Sequence, residues 1–244
     1  MAFKLKTLLS NRKNYGSKRN TKVIKYLVYH YTANDGDTDE NNAKYFHNNV
    51  VKASAHRFVD DDSVTISVPD DYVAWHCGGG LQGDKGHKYF GKCTNTNSIG
   101  IEMCDTIKNG KHDLSDKTKK NAVELGKQLI KQYSIKKENV IRHYDVTGKI
   151  CPAYFVKDEK AWEKFKDELY GEKKKDEKIK NTVGQEKVLK KDCHIYSKKD
   201  LTGTKYDYKK GTTIKILKNI SAKIDYIQVV ANGRKGYIDI KNYK

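Results

Sequence analysis

Residues 171–180 read Gly-Glu-Lys-Lys-Lys-Asp-Glu-Lys-Ile-Lys and offer almost nothing to bury. A segment of that kind cannot offset the entropy lost on ordering, so no packed core runs through it. Just ahead of it, Trp162, Phe165 and Leu169 recur at the spacing of one helical face, and Gly171 suits the end of such a helix. The chain is therefore expected to divide into a first domain over 1–170, a charged linker over 171–180 and a second domain over 181–244.

Before the linker, strand and helix patterns alternate. Residues 23–30 predict a buried strand and 38–50 a helix. Residues 55–68 predict a hairpin that turns at Asp60-Asp61-Asp62. A further strand is expected over 98–104. A helix over 116–133 follows from Ala122, Val123, Leu125, Leu129, Ile130 and Tyr133, and a short strand over 139–143 ends at His143. This order predicts an α/β domain with a central mixed β-sheet flanked by helices. After the linker only short strand patterns remain, over 187–190, 194–197, 212–217, 226–231 and 235–239, with Asn232-Gly233 as a hairpin turn. They predict a small all-β barrel.

With 17 Tyr, 6 Phe and 2 Trp the chain can build cores although 33% of its residues are charged. No apolar run approaches the roughly 18 residues of a membrane helix, so no membrane insertion is expected. Residues 3–9, Phe-Lys-Leu-Lys-Thr-Leu-Leu, are too short and too interrupted for a signal-peptide core. Cys77, Cys93, Cys104, Cys151 and Cys193 form no CxxC pair, which leaves zinc-ribbon and thioredoxin-like readings without support. An odd count with no visible signal fits synthesis in a reducing cytosol, where a thiol can serve as metal ligand or nucleophile. The net charge is +18, carried by 44 Lys and only 5 Arg. Codon bias and a solvated surface account for part of it. The rest suits a polyanion, with nucleic acid one candidate and an anionic cell wall another; readers of nucleic-acid bases lean on Arg forks, and with five Arg no nucleic acid is expected. Residues 171–244 hold net +11 against +7 for residues 1–170.

His30 ends a predicted buried strand in Tyr-Leu-Val-Tyr-His-Tyr-Thr, and His143 ends another in Val-Ile-Arg-His-Tyr-Asp. Cys151 follows in Gly-Lys-Ile-Cys-Pro. Two imidazoles and a thiolate are ligand types that Zn²⁺ accepts, and three protein ligands leave a position open for catalysis. Alternation along Ser-Ile-Gly-Ile-Glu puts Ser98, Gly100 and Glu102 on one face of their strand. A carboxylate there can take a proton from an attacking water and pass it to a leaving amine.

Six short words carry a family likeness: Tyr-His-Tyr-Thr at 29–32, Ser-Ala-His-Arg-Phe-Val at 54–59, Ala-Trp-His at 74–76, Asn-Ser-Ile-Gly-Ile-Glu at 97–102, Arg-His-Tyr-Asp-Val at 142–146 and Gly-Lys-Ile-Cys-Pro at 148–152. In this order they resemble the type-2 family of zinc-dependent N-acetylmuramoyl-L-alanine amidases, which includes phage lysozymes with amidase activity and the peptidoglycan recognition proteins. The likeness spans about residues 20–170. It implies zinc held by His30, His143 and Cys151, with Glu102 as the catalytic acid and base and Lys149 steadying the oxyanion. Some members use a Tyr just before the Ala-His word; here that position is Ala55, which shifts the role to Glu102. His76 and His56 are implied at the substrate groove, His56 also as support for the zinc site. The Gly78-Gly79-Gly80 loop is expected at the groove rim, and a Cys77–Cys93 disulfide is left open.

In the second domain, Lys-Lys-Gly-Thr-Thr-Ile-Lys-Ile-Leu at 209–217, Tyr-Ile-Gln-Val at 226–229, Gly-Arg-Lys-Gly-Tyr-Ile at 233–238 and Asn-Tyr at 242–243 resemble bacterial SH3-like wall-binding modules. The usual Trp of the fourth strand is Tyr226, and Cys193-His194-Ile195-Tyr196-Ser197 replaces another common word. The two likenesses together imply a peptidoglycan hydrolase. The enzyme would be made in the bacterial cytoplasm, act on peptidoglycan after release, and be held by anionic wall polymers. A phage or prophage endolysin is the first reading; a host autolysin and a non-catalytic peptidoglycan-binding protein are the alternatives.

Overall fold

The computed structural model describes residues 3–171, 186–198, 201, 203–218 and 226–239, and the chain falls into two units, 1–172 and 173–244. Beyond Gly171, the expected linker lies outside the described residues, as do Asn242 and Tyr243.

The first unit runs through β1 (Lys4–Thr7), β2 (Tyr15–Lys18), β3 (Tyr26–Tyr31), α1 (Asp39–Asn48), β4 (Arg57–Val59), β5 (Ser63–Ile66) and β6 (Tyr72–Ala74). It continues with β7 (Ser98–Met103), β8 (Thr106–Lys108), β9 (Lys111–Asp113), α2 (Asp116–Tyr133), β10 (Val140–Arg142), α3 (His143–Thr147), α4 (Ala153–Lys157) and α5 (Glu159–Leu169). The main sheet has the order β1-β5-β4-β7-β3-β10. Only the β4–β5 hairpin in it is antiparallel, so the sheet is mixed, as expected.

The two central strands explain the layering. They pair in parallel with Tyr29 level with Ile101 and His30 level with Glu102. Because side chains alternate, Leu27, Tyr29, Ile99 and Ile101 share one face, and Val28, His30, Gly100 and Glu102 share the other. The first set is fully buried with Ala122, Leu125 and Leu129 of α2 and Trp162, Phe165 and Leu169 of α5. Each large apolar side chain contributes about 1.5–3 kcal/mol when buried. In the second set Val28 packs with Cys93, Ile141 and Val146, and His30 and Glu102 are left for chemistry.

Caps set the helix ends. Ser115 accepts from Thr118 N at the start of α2, and Ser134 closes it in the left-handed region with φ 52°. Thr38 and Asp158 cap α1 and α5 in the same way. Each N-cap contributes about 0.5–2 kcal/mol. The strand expected over 139–143 stops at Arg142 instead. Asp145 Oδ2 accepts from Arg142 N at 2.8 Å, and that capping turns His143 into the first residue of a helix.

In the second unit, β11 (Glu186–Val188), β12 (Cys193–Tyr196), β13 (Lys205–Tyr208), β14 (Thr213–Lys218), β15 (Tyr226–Ala231) and β16 (Arg234–Asp239) form one antiparallel sheet ordered β11-β14-β15-β16-β12-β13. Its core is Leu189, Ile195, Tyr208, Ile214, Val229, Ala231 and Ile238. Asn232 and Gly233 make the expected turn, with φ of 48° and 75°. The short strand β13 is not foreshadowed by the strand patterns of the sequence; Lys-Tyr-Asp-Tyr lacks the β-branched residues that mark its neighbours.

Gly126 measures how tightly α2 sits. A Cβ there would run into Tyr29 Oη and Leu169 Cδ2. Replacing Gly126 by Ala is expected to lower stability by about 1–3 kcal/mol through overpacking. Ala would normally strengthen a helix, so an unchanged or raised midpoint in denaturant titration would contradict this packing.

Candidate metal centre and active site

The three expected ligands converge from three places: the end of β3, the start of α3 and the loop before α4. The ligand atoms of His30, His143 and Cys151 all lie within 4.8 Å of one another, and all three residues are buried. Cys151 Sγ is 3.8 Å from His30 Nδ1. Tetrahedral zinc bonds of about 2.0–2.3 Å would place ligand atoms about 3.3–3.8 Å apart, a spacing the Cys151–His30 pair meets, and two imidazoles with a thiol are donor types that suit such an ion.

Hydrogen bonds behind His30 favour one of its nitrogens for the other donors. Ser98 Oγ donates to Thr94 O at 2.6 Å, and so accepts from His76 Nε2 at 3.1 Å. His76 Nδ1 is then left as an acceptor, 3.1 Å from both His30 Nε2 and Cys77 Sγ. His30 thus carries its proton on Nε2 and presents a bare Nδ1 to the donor cluster. A second polar partner of this kind is what holds ligating imidazoles in orientation. Gly100 makes the arrangement fit: a Cβ there would sit 2.5 Å from the His76 ring.

His76 and His56, expected at the groove, are both buried. They are 8% and 0% exposed. His76 drops into the space that Gly100 leaves open. His56 Nδ1 accepts from Gly100 N at 3.0 Å, and Arg19 Nη2 lies 2.8 Å from its Nε2. Both belong to the support beneath the cluster. The Gly78–Gly80 loop does reach its edge, with Gly78 O 3.4 Å from His143 Nε2. Cys77 and Cys93 are free thiols.

Glu102 stands on the same face as His30, with Oε1 4.0 Å from His30 Nδ1. Its side chain is 21% exposed, yet Oε2 is buried without a hydrogen-bond partner. Burial pushes this carboxyl up to about 8, against the opposing pull of Lys149. Lys149 is exposed, and its charge reaches His30, His143 and Glu102. Burial holds His30 and His56 well below the ordinary histidine value, with neighbouring imidazoles adding to the shift. Burial also lowers His76 to about 3 and, with Lys149 second, His143 to about 4. Burial raises the Cys151 thiol. The cluster therefore offers neutral imidazoles to a cation.

Sequence reasoning missed three supports. Arg19 donates to the carbonyls of Asp70, Asn95, Thr96 and Ser98, fixing the chain as it enters β7. Arg142 binds Asp145 and Glu159, which holds the start of α3. Buried Asp105 accepts from Thr32 Oγ1, Asn34 N and His112 Nδ1, tying the loop after His30 to the β8–β9 hairpin. The rarity of Arg beside abundant Lys was the available signal for the first two.

The sequence pattern of the family described as N-acetylmuramoyl-L-alanine amidase matches residues 19–154. The chain belongs to that amidase family. It is 36% identical over 161 residues to N-acetylmuramoyl-L-alanine amidase CwlL of Bacillus licheniformis, covering 62% of this chain and 42% of that protein. It is 32% identical over 177 residues to amidase CwlA of Bacillus subtilis strain 168, covering 72% and 60%. The chain thus spans less than two thirds of the length of these curated relatives. Among solved structures, the catalytic domain of XlyA and a mutant endolysin from Bacillus subtilis each align with a TM-score of 0.54 at 27% identity, covering 68% of this chain and 99% of the other. PlyL aligns with a TM-score of 0.55 at 30% identity, covering 68% and 97%. The mixed sheet and flanking helices are the amidase catalytic-domain fold.

The buried imidazoles set the sign of the acid response in metal-free protein. On unfolding, each becomes free to bind a proton below its ordinary value of 6.5. The unfolded state then holds more protons, so stability falls as pH drops through that value. Glu102 acts in the opposite sense between 4.5 and about 8, because its folded form keeps the proton. Four lowered imidazoles outweigh one raised carboxyl. With chelator present, the denaturation midpoint is expected to fall steadily between about pH 7 and pH 5, and less steeply in a His76→Asn variant. A flat or rising midpoint would contradict neutral burial.

Proposed function

We propose that the first unit hydrolyses the amide between N-acetylmuramic acid and L-alanine in bacterial peptidoglycan, using zinc held by His30, His143 and Cys151. The observation that carries this reading is the buried donor cluster with the partnerless Glu102 Oε2 beside it. Membership of the amidase family supports the bond assignment. Zinc in this place supplies Lewis-acid polarisation of the scissile carbonyl and of the attacking water.

The chain's own residues do the rest. Glu102 takes the proton of the attacking water and returns it to the departing alanine nitrogen. A carboxyl raised by burial is suited to both halves of that transfer near neutral pH. The Lys149 ammonium steadies the oxyanion of the tetrahedral intermediate. His76 keeps His30 in one tautomer and orientation. The second unit holds the enzyme on the wall through anionic polymers, and the whole acts as an endolysin. The likeness of the first unit to a solved endolysin from Bacillus subtilis supports that last reading.

Digestion of purified walls followed by muropeptide analysis tests the bond. The expected products are a free lactyl carboxylate on the sugar and a new L-alanine N-terminus. New reducing sugar ends, or cuts within the peptide, would exclude the amidase reading.

Two variants separate the roles. Cys151→Ser is expected to lose zinc and activity together, measured by metal analysis and wall lysis. Glu102→Gln should keep full zinc and an unchanged unfolding midpoint while losing about 10²–10⁴-fold in turnover. Full zinc in the first variant, or near-normal turnover in the second, would reassign the residue concerned.

A further inference from the structure

Arg234 of the second unit is oriented by the fold but not consumed by it. Its guanidinium carbon stands 4.0 Å from the centre of the Tyr206 ring. A cation over a ring face is held there by the ring's π-electrons and keeps its N–H donors for other partners. The chain's other four arginines all donate to acceptors: Arg12 to Tyr15 O, Arg19 to four carbonyls, Arg57 to His56 O and Asp70, and Arg142 to Asp145 and Glu159. Among the described residues, Arg234 alone of the five arginines meets no acceptor through its side chain.

The fork opens on a groove of about 430 Å³ lined by Lys205, Tyr206, Asp207, Tyr208, Asn232 and Arg234. The groove lies where β13 meets the β15–β16 hairpin, a junction tied by Tyr208 Oη donating to Ala231 O at 3.1 Å. Its one acidic member, Asp207, sets Oδ1 2.5 Å from His194 Nδ1. Lys205 and Arg234 are both exposed, in a stretch of residues, 171–244, whose net charge is +11.

We propose that this groove binds a phosphodiester of an anionic polymer in the bacterial wall. Arg234 would fork the two non-bridging oxygens, with Lys205 beside it. A planar fork matches a pair of equivalent oxygens better than an ammonium does. A repeating monoanion also suits one oriented fork among scattered lysines, since the next charge along the polymer can meet Lys205 or Lys235. The proposal rests on the reading of the second unit as wall-binding.

The test uses the full chain, with Glu102→Gln added to keep walls intact. Pelleting is measured on whole walls and on walls stripped of phosphodiester polymer with hydrofluoric acid. Binding to soluble poly(glycerol phosphate) is titrated in parallel. Arg234→Gln is expected to weaken binding to whole walls and to the soluble polymer about tenfold, and Arg234→Lys about threefold. Lys215→Gln, an exposed control on β14, should change either by less than about twofold. On stripped walls the Arg234 effect should vanish. Equal effects of Arg234→Gln and Lys215→Gln would overturn the groove in favour of diffuse charge. An Arg234 effect that persists on stripped walls would overturn the phosphodiester in favour of a peptide carboxylate. Soluble polymer bound through Arg234 with no pelleting on any wall would sink the wall-binding reading and leave the groove's chemistry standing. No binding to either would sink both. Unchanged unfolding midpoints exclude misfolding of the variants.

Discussion

One proton assignment governs the chemistry-bearing face of the first unit. The carbonyl of Thr94 accepts the Ser98 hydroxyl hydrogen bond, which orients His76, which in turn leaves His30 Nδ1 bare. That chain lies behind His30, yet it decides whether His30 can act as a donor. It depends on Gly100, because a side chain there would displace the His76 ring. It also depends on the β3–β7 register, which sets His30 level with Glu102. The burial that keeps these imidazoles neutral raises the Glu102 carboxyl as well, so a single low-polarity environment prepares both the ligands and the acid–base group.

Most of the first unit was legible because its signals are local. The alternation in Ser98–Met103 predicted which side chains share the face with Glu102, and the face is the one that meets His30. The helix over Asp116–Tyr133 has the expected bounds, and of its expected face Ala122, Val123, Leu125 and Leu129 are buried while Ile130 and Tyr133 pack at the margin. The candidate ligands were legible through family words rather than spacing, as His30 and Cys151 are 121 residues apart. Strands β1, β2, β6 and the β8–β9 hairpin escaped, and so did contacts between distant segments. The burial of His76 is decided by the missing side chain of Gly100 on another strand. That of His56 is decided by Arg19, from a segment with no strand or helix pattern. The short helix at His143 escaped because an Asp two residues on caps it, a signal weaker than the strand pattern before it.

Arginine usage adds a second layer to the charge. In a chain whose default cation is lysine, each of the five arginines has a task that an ammonium performs poorly. Arg19, Arg57 and Arg142 are buried and spread several donors over carbonyls and carboxylates at once. Arg12 and Arg234 lie against tyrosine rings. A planar, delocalised cation with five donors suits all of these places, and a compact, strongly hydrated one does not. The bulk of the positive charge is thus solvated surface, while the arginines report where shape matters.

The two outer strands of the second sheet carry a consequence for how the protein behaves in a crowded solution. Strand β11 is three residues long and β13 four. Outward positions on β13 are Lys205 and Asp207, and β11 begins with Glu186 and Lys187. A sheet edge is a template on which a stranger's backbone can add itself, and brevity and charge are the usual deterrents. Among the described residues both edges have both. A neighbouring copy finds too few backbone groups in a row to zip onto, and opposite charges that hold water at the place where it would have to dry.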